Sequence, residues 1–313
     1  MVRATKIESV KRTFEPLAAI EWVERKSRLA NRDSHLRARK PTMRATFVHV
    51  RQSSDTDTTM RTILTANSGE MGTWVAKHAA SDLRQAISDK GSANLVVATG
   101  ASQFEVLKHL VAAPDIDWSK VTGFHLDEYV GISSDHAASF CGYLKDRFVD
   151  HVDLAQFHYL RGDADPQAVI GEIGELVKTS DIDLALVGIG ENGHLAFNDP
   201  PADFETEEPY LVVELDEPCR MQQVGEGWFE SLDAVPTHAI SMSVKQILKA
   251  AKIYCSVPDE RKAEAVRATL EDEVSPAIPA SILRQHANTT LVIDEAAASK
   301  LSDEVKSRLE RGK

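Results

Sequence analysis

The chain has 313 residues, 42% hydrophobic and 27% charged, which fits one large α/β domain or two small ones with a core that needs no covalent staples. Its three cysteines, Cys141, Cys219 and Cys255, stand far apart, which excludes a disulfide scaffold or a spaced zinc module and points to a reducing compartment. No apolar run reaches the roughly 18 residues of a membrane span, no secretory signal is visible, and the formal net charge of −12 argues against a non-specific nucleic-acid binder.

A cytoplasmic protein with no membrane and no nucleic-acid partner is therefore expected. The charge is uneven. Residues 1–44 carry +7 and the remainder −19. Residues 1–60 read as a basic extension, disordered or started upstream, because clustered charge with few apolar residues cannot sustain a core. A nucleic-acid arm or a targeting segment are the other readings. The folded domain is expected over residues 61–313.

From about residue 70 helix and strand signals alternate. Trp74, Val75, Ala79, Leu83 and Ile87 recur at helical spacing. Residues 94–98 form a short apolar run that suits a buried strand, and 103–113 are helical again. Further strands are expected at 121–126, 157–160 and 184–189, with helices at 136–149 and 166–178. Residues 191–201 read as a loop. Later strands are expected at 211–215, 239–242 and 253–257, with helices at 243–251 and 259–271. A last strand at 290–293 precedes a polar terminal helix. This alternation implies βαβ units and a doubly wound, mostly parallel sheet with helices on both faces in one domain. Ligands of such sheets bind outside the carboxyl ends of the strands.

Three loops sit there. In Ala98-Thr99-Gly100-Ala101-Ser102 small residues precede a helix, whose free N–H groups can receive an anion; an ordinary tight turn is the plainer reading. In Phe124-His125-Leu126-Asp127-Glu128-Tyr129-Val130-Gly131 two adjacent carboxylates follow a buried strand, where one can be a poised base or both a solvated pair. In Gly188-Ile189-Gly190-Glu191-Asn192-Gly193-His194-Leu195-Ala196-Phe197-Asn198-Asp199-Pro200 three glycines, a histidine and two acids crowd one loop. The glycines suggest close backbone approach, and a histidine there can titrate near neutrality.

Together the three segments resemble the glucosamine-6-phosphate deaminase (isomerase) family, over about residues 70–300. The resemblance implies a Rossmann-like fold, no cofactor, no metal, and conversion of the amino-sugar phosphate glucosamine 6-phosphate to fructose 6-phosphate and ammonia. Asp127 then matches the base that moves a proton between C2 and C1, and His194 the group that opens the pyranose ring. Asn192 and Asp199 match the residues that orient this histidine. Thr99, Gly100, Ala101 and Ser102, with Arg220 and Lys262, match the phosphate site, and Glu128 a supporting acid at the substrate. Some members carry Asp where this chain has Asn192 and Glu where it has Asp199. Glu205, Glu207 and Glu208 stand where regulated members bind an anionic effector, so no such activation is expected. The alternatives are another amino-sugar phosphate, a 6-phosphogluconolactonase, and a non-catalytic sugar-phosphate sensor. The sequence leaves open whether the chain is monomeric or a homo-oligomer.

Overall fold

The computed structural model describes residues 60–312. The extension expected over residues 1–60 lies outside them, apart from Met60. In chain order the first elements are β1 (Arg61–Thr65), α1 (Ser68–Lys90), β2 (Ala93–Val97), α2 (Phe104–Val111), β3 (Val121–His125) and β4 (Asp127–Tyr129). There follow α3 (Phe140–Arg147), β5 (Gln156–His158), α4 (Pro166–Lys178), β6 (Leu184–Val187), β7 (Tyr210–Glu214) and α5 (Glu217–Gly225). The last are β8 (His238–Met242), α6 (Val244–Ile247), β9 (Ile253–Val257), α7 (Ala263–Glu271), β10 (Thr289–Asp294), α8 (Asp303–Lys306) and β11 (Glu310–Arg311).

Eight strands form one sheet in the order β11-β1-β10-β9-β6-β2-β3-β5, and every pairing in it is parallel. Both faces are covered, so the central strands are apolar without a polar side. Leu184 and Leu186 of β6 pack with α1, α2 and α3, whereas Ala185 and Val187 pack with α4 and α7. This is the doubly wound architecture expected. The helices start and stop where their caps dictate. Asn67 accepts from the Glu70 N–H and Gly91 closes α1 in the left-handed region at φ 84°. Asp165 caps α4, which begins on Pro166.

Several elements differ from the sequence reading. β7 and β8 do not join the parallel sheet. They form a separate antiparallel sheet with β4, in the order β4-β8-β7. β1, β4 and β11 are new; β4 and β11 have only three and two residues, too few for a pattern to register, and in β1 only Ile63 and Leu64 are apolar. The helix expected at 243–251 shrinks to α6, and that at 259–271 opens with a 3₁₀ turn, Glu260–Lys262. The terminal helix is the single turn α8, and β11 rather than β10 is the last strand. No helix among the described residues is long and apolar enough to cross a membrane.

The strand order places the crevice. From β2 the chain moves one way across the sheet, to β3 and β5; from β6 it moves the other way, to β9 and β10. β2 and β6 are neighbours, with Leu95 opposite Leu184. The loops that leave their carboxyl ends therefore diverge, and a crevice opens between them.

Candidate active site

A cleft of about 590 Å³ lies over the carboxyl ends of β2, β3, β6, β9 and β10, and Thr99, Gly100, Ala101, Ser102, Asp127, His194 and Lys262 all line it. Two segments outside the three loops also contribute: residues 257–262 after β9, and Gln222 to Trp228 from α5 onward.

The turn after β2 takes its shape from Gly100, at φ 87°, a conformation that side chains disfavour. A 3₁₀ turn, Ala101–Gln103, leads directly into α2, so this corner carries the unpaired N–H groups of a helix start. Gln103 is fully buried. Its Nε2 donates to the Val187 carbonyl (3.1 Å) and to Ser102 Oγ (3.2 Å), which ties the turn to the end of β6 across the crevice. Gly188 permits that approach, because a Cβ there would stand 2.7 Å from Ser102 Oγ.

Asp127 and Glu128 separate because successive strand residues face opposite ways. β4 pairs with β8, Asp127 opposite Ser241, and this aims Asp127 into the cleft. Burial, with Glu128 alongside, pushes the Asp127 carboxyl up to about 8. Glu128 does not line the cleft, contrary to the expected substrate contact. Its oxygens accept from Ser139 Oγ (2.8 Å) and from the N–H groups of Tyr129, Phe140 and Cys141. The carboxylate is thus spent on the first turn of α3, where the helix dipole favours negative charge.

His194 is held from two sides. Its Nδ1 lies 3.0 Å from Asp199 Oδ1, and its ring lies so close to Gly190 that a Cβ there would come within 2.2 Å of Nε2. Burial pushes the Asp199 carboxyl up, but hydrogen bonds from His194, Asn192 and the Asp216 N–H outweigh it and hold it below the ordinary range. An ionised carboxylate only accepts, so Nδ1 carries a hydrogen, and in the neutral ring it is Nε2 that has the lone pair. Asn192 does not reach the cleft wall. Its Oδ1 accepts from the His194 N–H (3.0 Å), and its Nδ2 donates to Asp199 Oδ1 (3.0 Å) and Asp216 Oδ2 (3.4 Å). Asp216, missed in the sequence, also caps α5 by accepting from the Cys219 N–H. His194, Asp199 and Cys219 are close enough to share a metal ion, their ligand atoms within 4.8 Å of one another. Burial drives the Cys219 thiol far above its ordinary value, which disfavours the thiolate a metal takes.

The two expected cations part company. Lys262 lines the cleft, and its ammonium stands 3.6 Å from Glu226 Oε1, with both side chains about nine-tenths buried. Burial lowers the Lys262 pKa, and Glu226 and Glu191 counter that. Arg220 does not line the cleft. Its Nη2 donates to the carbonyls of Leu232 (2.6 Å) and Val235 (3.1 Å), so it braces the turn beyond α5 and is not a phosphate ligand in this geometry. Glu226 was not singled out in the sequence. Gln222 and Glu226 are four apart and share a helical face, but nothing in the sequence ties that face to the cleft. Elsewhere, Lys245 and Lys249 pair with Glu205 and Glu207 and partly offset the acidic stretch expected to repel an effector.

Residues 66–292 match the family described as glucosamine-6-phosphate isomerases/6-phosphogluconolactonase. A glucosamine-6-phosphate deaminase from Exiguobacterium sp. (strain AT1b) is 38% identical over 227 residues, 72% of this chain and 87% of that protein. One from Thermoanaerobacter pseudethanolicus is 34% identical over 252 residues, 78% of this chain and 96% of that protein. Among solved structures, a monomeric glucosamine-6-phosphate deaminase superposes with a TM-score of 0.71 at 33% identity, over 77% of this chain and 99% of that one. The 6-phosphogluconolactonase of Trypanosoma brucei shares the fold at a TM-score of 0.64 and 15% identity, over 78% of this chain and 99% of that one. With the match covering most of its length and relatives this similar, the chain belongs to the family of glucosamine-6-phosphate isomerases and 6-phosphogluconolactonases.

Proposed function

We propose that this chain is a glucosamine-6-phosphate deaminase, and that the domain over residues 61–313 isomerises its aminosugar phosphate and releases ammonia. The observation that carries the reading is a buried carboxyl poised at about 8, Asp127, in one cleft with a histidine whose Nδ1 is committed to Asp199. The relatives above 30% identity bear the deaminase name, which favours this activity over lactone hydrolysis.

His194 acts first. Its free Nε2 takes the proton of the C1 hydroxyl and returns one to the ring oxygen as the C1–O5 bond breaks. Asn192 and Asp199 keep the ring in that tautomer. Asp127 then removes the C2 proton from the open chain, the substrate's ammonium gives a proton to O1, and an enolamine with a free nitrogen pair forms. A carboxyl near neutrality can both take and give a proton, so Asp127 delivers it to C1. The nitrogen pair closes a C2=N bond. Water adds at C2, ammonia leaves, and fructose 6-phosphate remains. The N–H groups and hydroxyl of residues 99–102, with Lys262, hold the phosphate and fix C1 and C2 at the acid/base pair. Glu128 and Arg220 support the fold around this site.

Purified protein is tested with glucosamine 6-phosphate for ammonia and fructose 6-phosphate in equal amounts, and in parallel with galactosamine 6-phosphate and 6-phosphogluconolactone. Equimolar products from the first substrate are expected. Turnover of the lactone alone would replace this reading with the lactonase.

A further inference from the structure

The phosphate end of the cleft has less positive charge than its residue types suggest. Among the described residues, two cationic side chains line the cleft, Arg261 and Lys262. Arg261 is already engaged, with Asp259 at 2.9 Å and Glu191 at 3.9 Å. Lys262 faces Glu226, and Arg220 is turned to backbone carbonyls. Glu226 is itself fixed. Gln222 Nε2 donates to its Oε1 (2.8 Å) and Trp228 Nε1 to its Oε2 (3.2 Å), while Gln222 Oε1 accepts from the Glu191 N–H (2.9 Å). The carboxylate therefore cannot swing away without breaking bonds to the wall that carries it.

We propose that Glu226 sets how tightly this cleft holds the phosphate of its substrate, by competing with that phosphate for the ammonium of Lys262. The inference rests on the deaminase reading for the substrate, but its electrostatics concern any phosphate monoester. A dianion approaching Lys262 meets a second, fixed anion 3.6 Å from that ammonium. Attraction to the lysine is partly cancelled, and binding depends on the backbone N–H groups of residues 99–102 and on Ser102. The function of such an arrangement is release. Fructose 6-phosphate carries the same phosphate as the substrate, so a cleft that grips it less firmly turns over faster at high substrate.

Removing the charge while keeping the shape tests this. In Glu226→Gln the amide oxygen can still accept one of the two hydrogen bonds. Inorganic phosphate, used as a competitive inhibitor, should bind about three- to tenfold more tightly, and the KM for glucosamine 6-phosphate should fall by a similar factor without a rise in kcat. Competition by unphosphorylated glucosamine should not change. In a Lys262→Met background Glu226→Gln should tighten phosphate much less, since only its direct repulsion of the anion is left to relieve. Glu226→Asp, which keeps the charge and draws it back by one methylene, should fall between wild type and Gln and serves if the amide variant folds poorly. Unchanged or weaker phosphate inhibition in Glu226→Gln would overturn the proposal, as would an equal tightening without Lys262. Failure of the wild-type protein to act on glucosamine 6-phosphate would instead count against the deaminase reading, because the phosphate-inhibitor binding can be followed by calorimetry without turnover.

Discussion

At one end of the cleft, Asp127 is placed by its strand pairing with Ser241, and His194 by Asp199, Asn192 and Gly190 from the same loop. At the other end Lys262 and Glu226 come from segments 36 residues apart and meet at 3.6 Å. Asp127 and His194, the proposed proton-transfer groups, are both buried. Lys262 and Glu226, where we propose that the phosphate binds, form an ion pair. Under the proposed roles the difference follows from what each pair of residues does. A proton must be moved between fixed atoms, whereas a phosphate must be taken up and let go on every turnover.

The comparison breaks most severely at Asp127. Asp127→Asn should lower kcat by about 10²–10⁴-fold, the usual worth of a positioned base, with phosphate inhibition intact. Its stability should move the opposite way. The Asp127 carboxyl is raised to about 8 from an ordinary 3.8, so well below pH 3.8 it is protonated whether folded or unfolded and costs nothing. Between those values the unfolded chain ionises and the folded one does not, and the penalty grows until about pH 8. Thermal melting should therefore show Asp127→Asn nearly equal to wild type at about pH 2.5 and about 3–8 °C more stable at pH 9. Equal melting at both values would mean the carboxyl is not buried as described.

A second break comes through Gly190. A methyl group there would meet the His194 ring at 2.2–2.5 Å, and displacing a reacting group by about 1 Å costs on the order of 10²-fold. Gly190→Ala should lose turnover by that factor, while C2-proton exchange measured from the ketose side should suffer less, because open-chain sugar bypasses ring opening. Equal losses in both assays would separate His194 from that step.

Asn192→Asp sharpens the comparison at smaller scale. It replaces a donor to Asp199 and Asp216 with a third carboxylate. About 1–3 kcal/mol of stability should be lost at neutral pH and regained as acid protonates the cluster. The added charge should carry the acid limb of the pH–rate profile to higher pH. A profile identical to wild type would show that Asn192 does not communicate with His194.

The smallest kinetic effect is expected at Arg220. Arg220→Met removes hydrogen bonds to Leu232 and Val235 and should destabilise by about 1–3 kcal/mol, leaving the KM for the sugar phosphate within about twofold. A large rise in KM with unchanged melting would return Arg220 to the phosphate site.

The parallel sheet was legible in the residues alone, because Leu184 to Val187 and Leu291 to Ile293 are apolar without alternation, as strands covered on both faces require. The candidate acid/base residues were legible too. His194, Asn192 and Asp199 lie within eight residues, where local backbone fixes their distances, and Asp127 follows directly on a readable strand. Arg220 and Glu128 could not be placed in this way. Both are charged residues beside a motif, and only packing shows that one braces a turn and the other a helix start. Nor does any local pattern join β4 to β8, α5 to the cleft wall, or Glu226 to Lys262. Those contacts connect segments that are distant in the chain, and their geometry exists only once the sheet order has turned the loops of β2, β6 and β9 toward a common crevice.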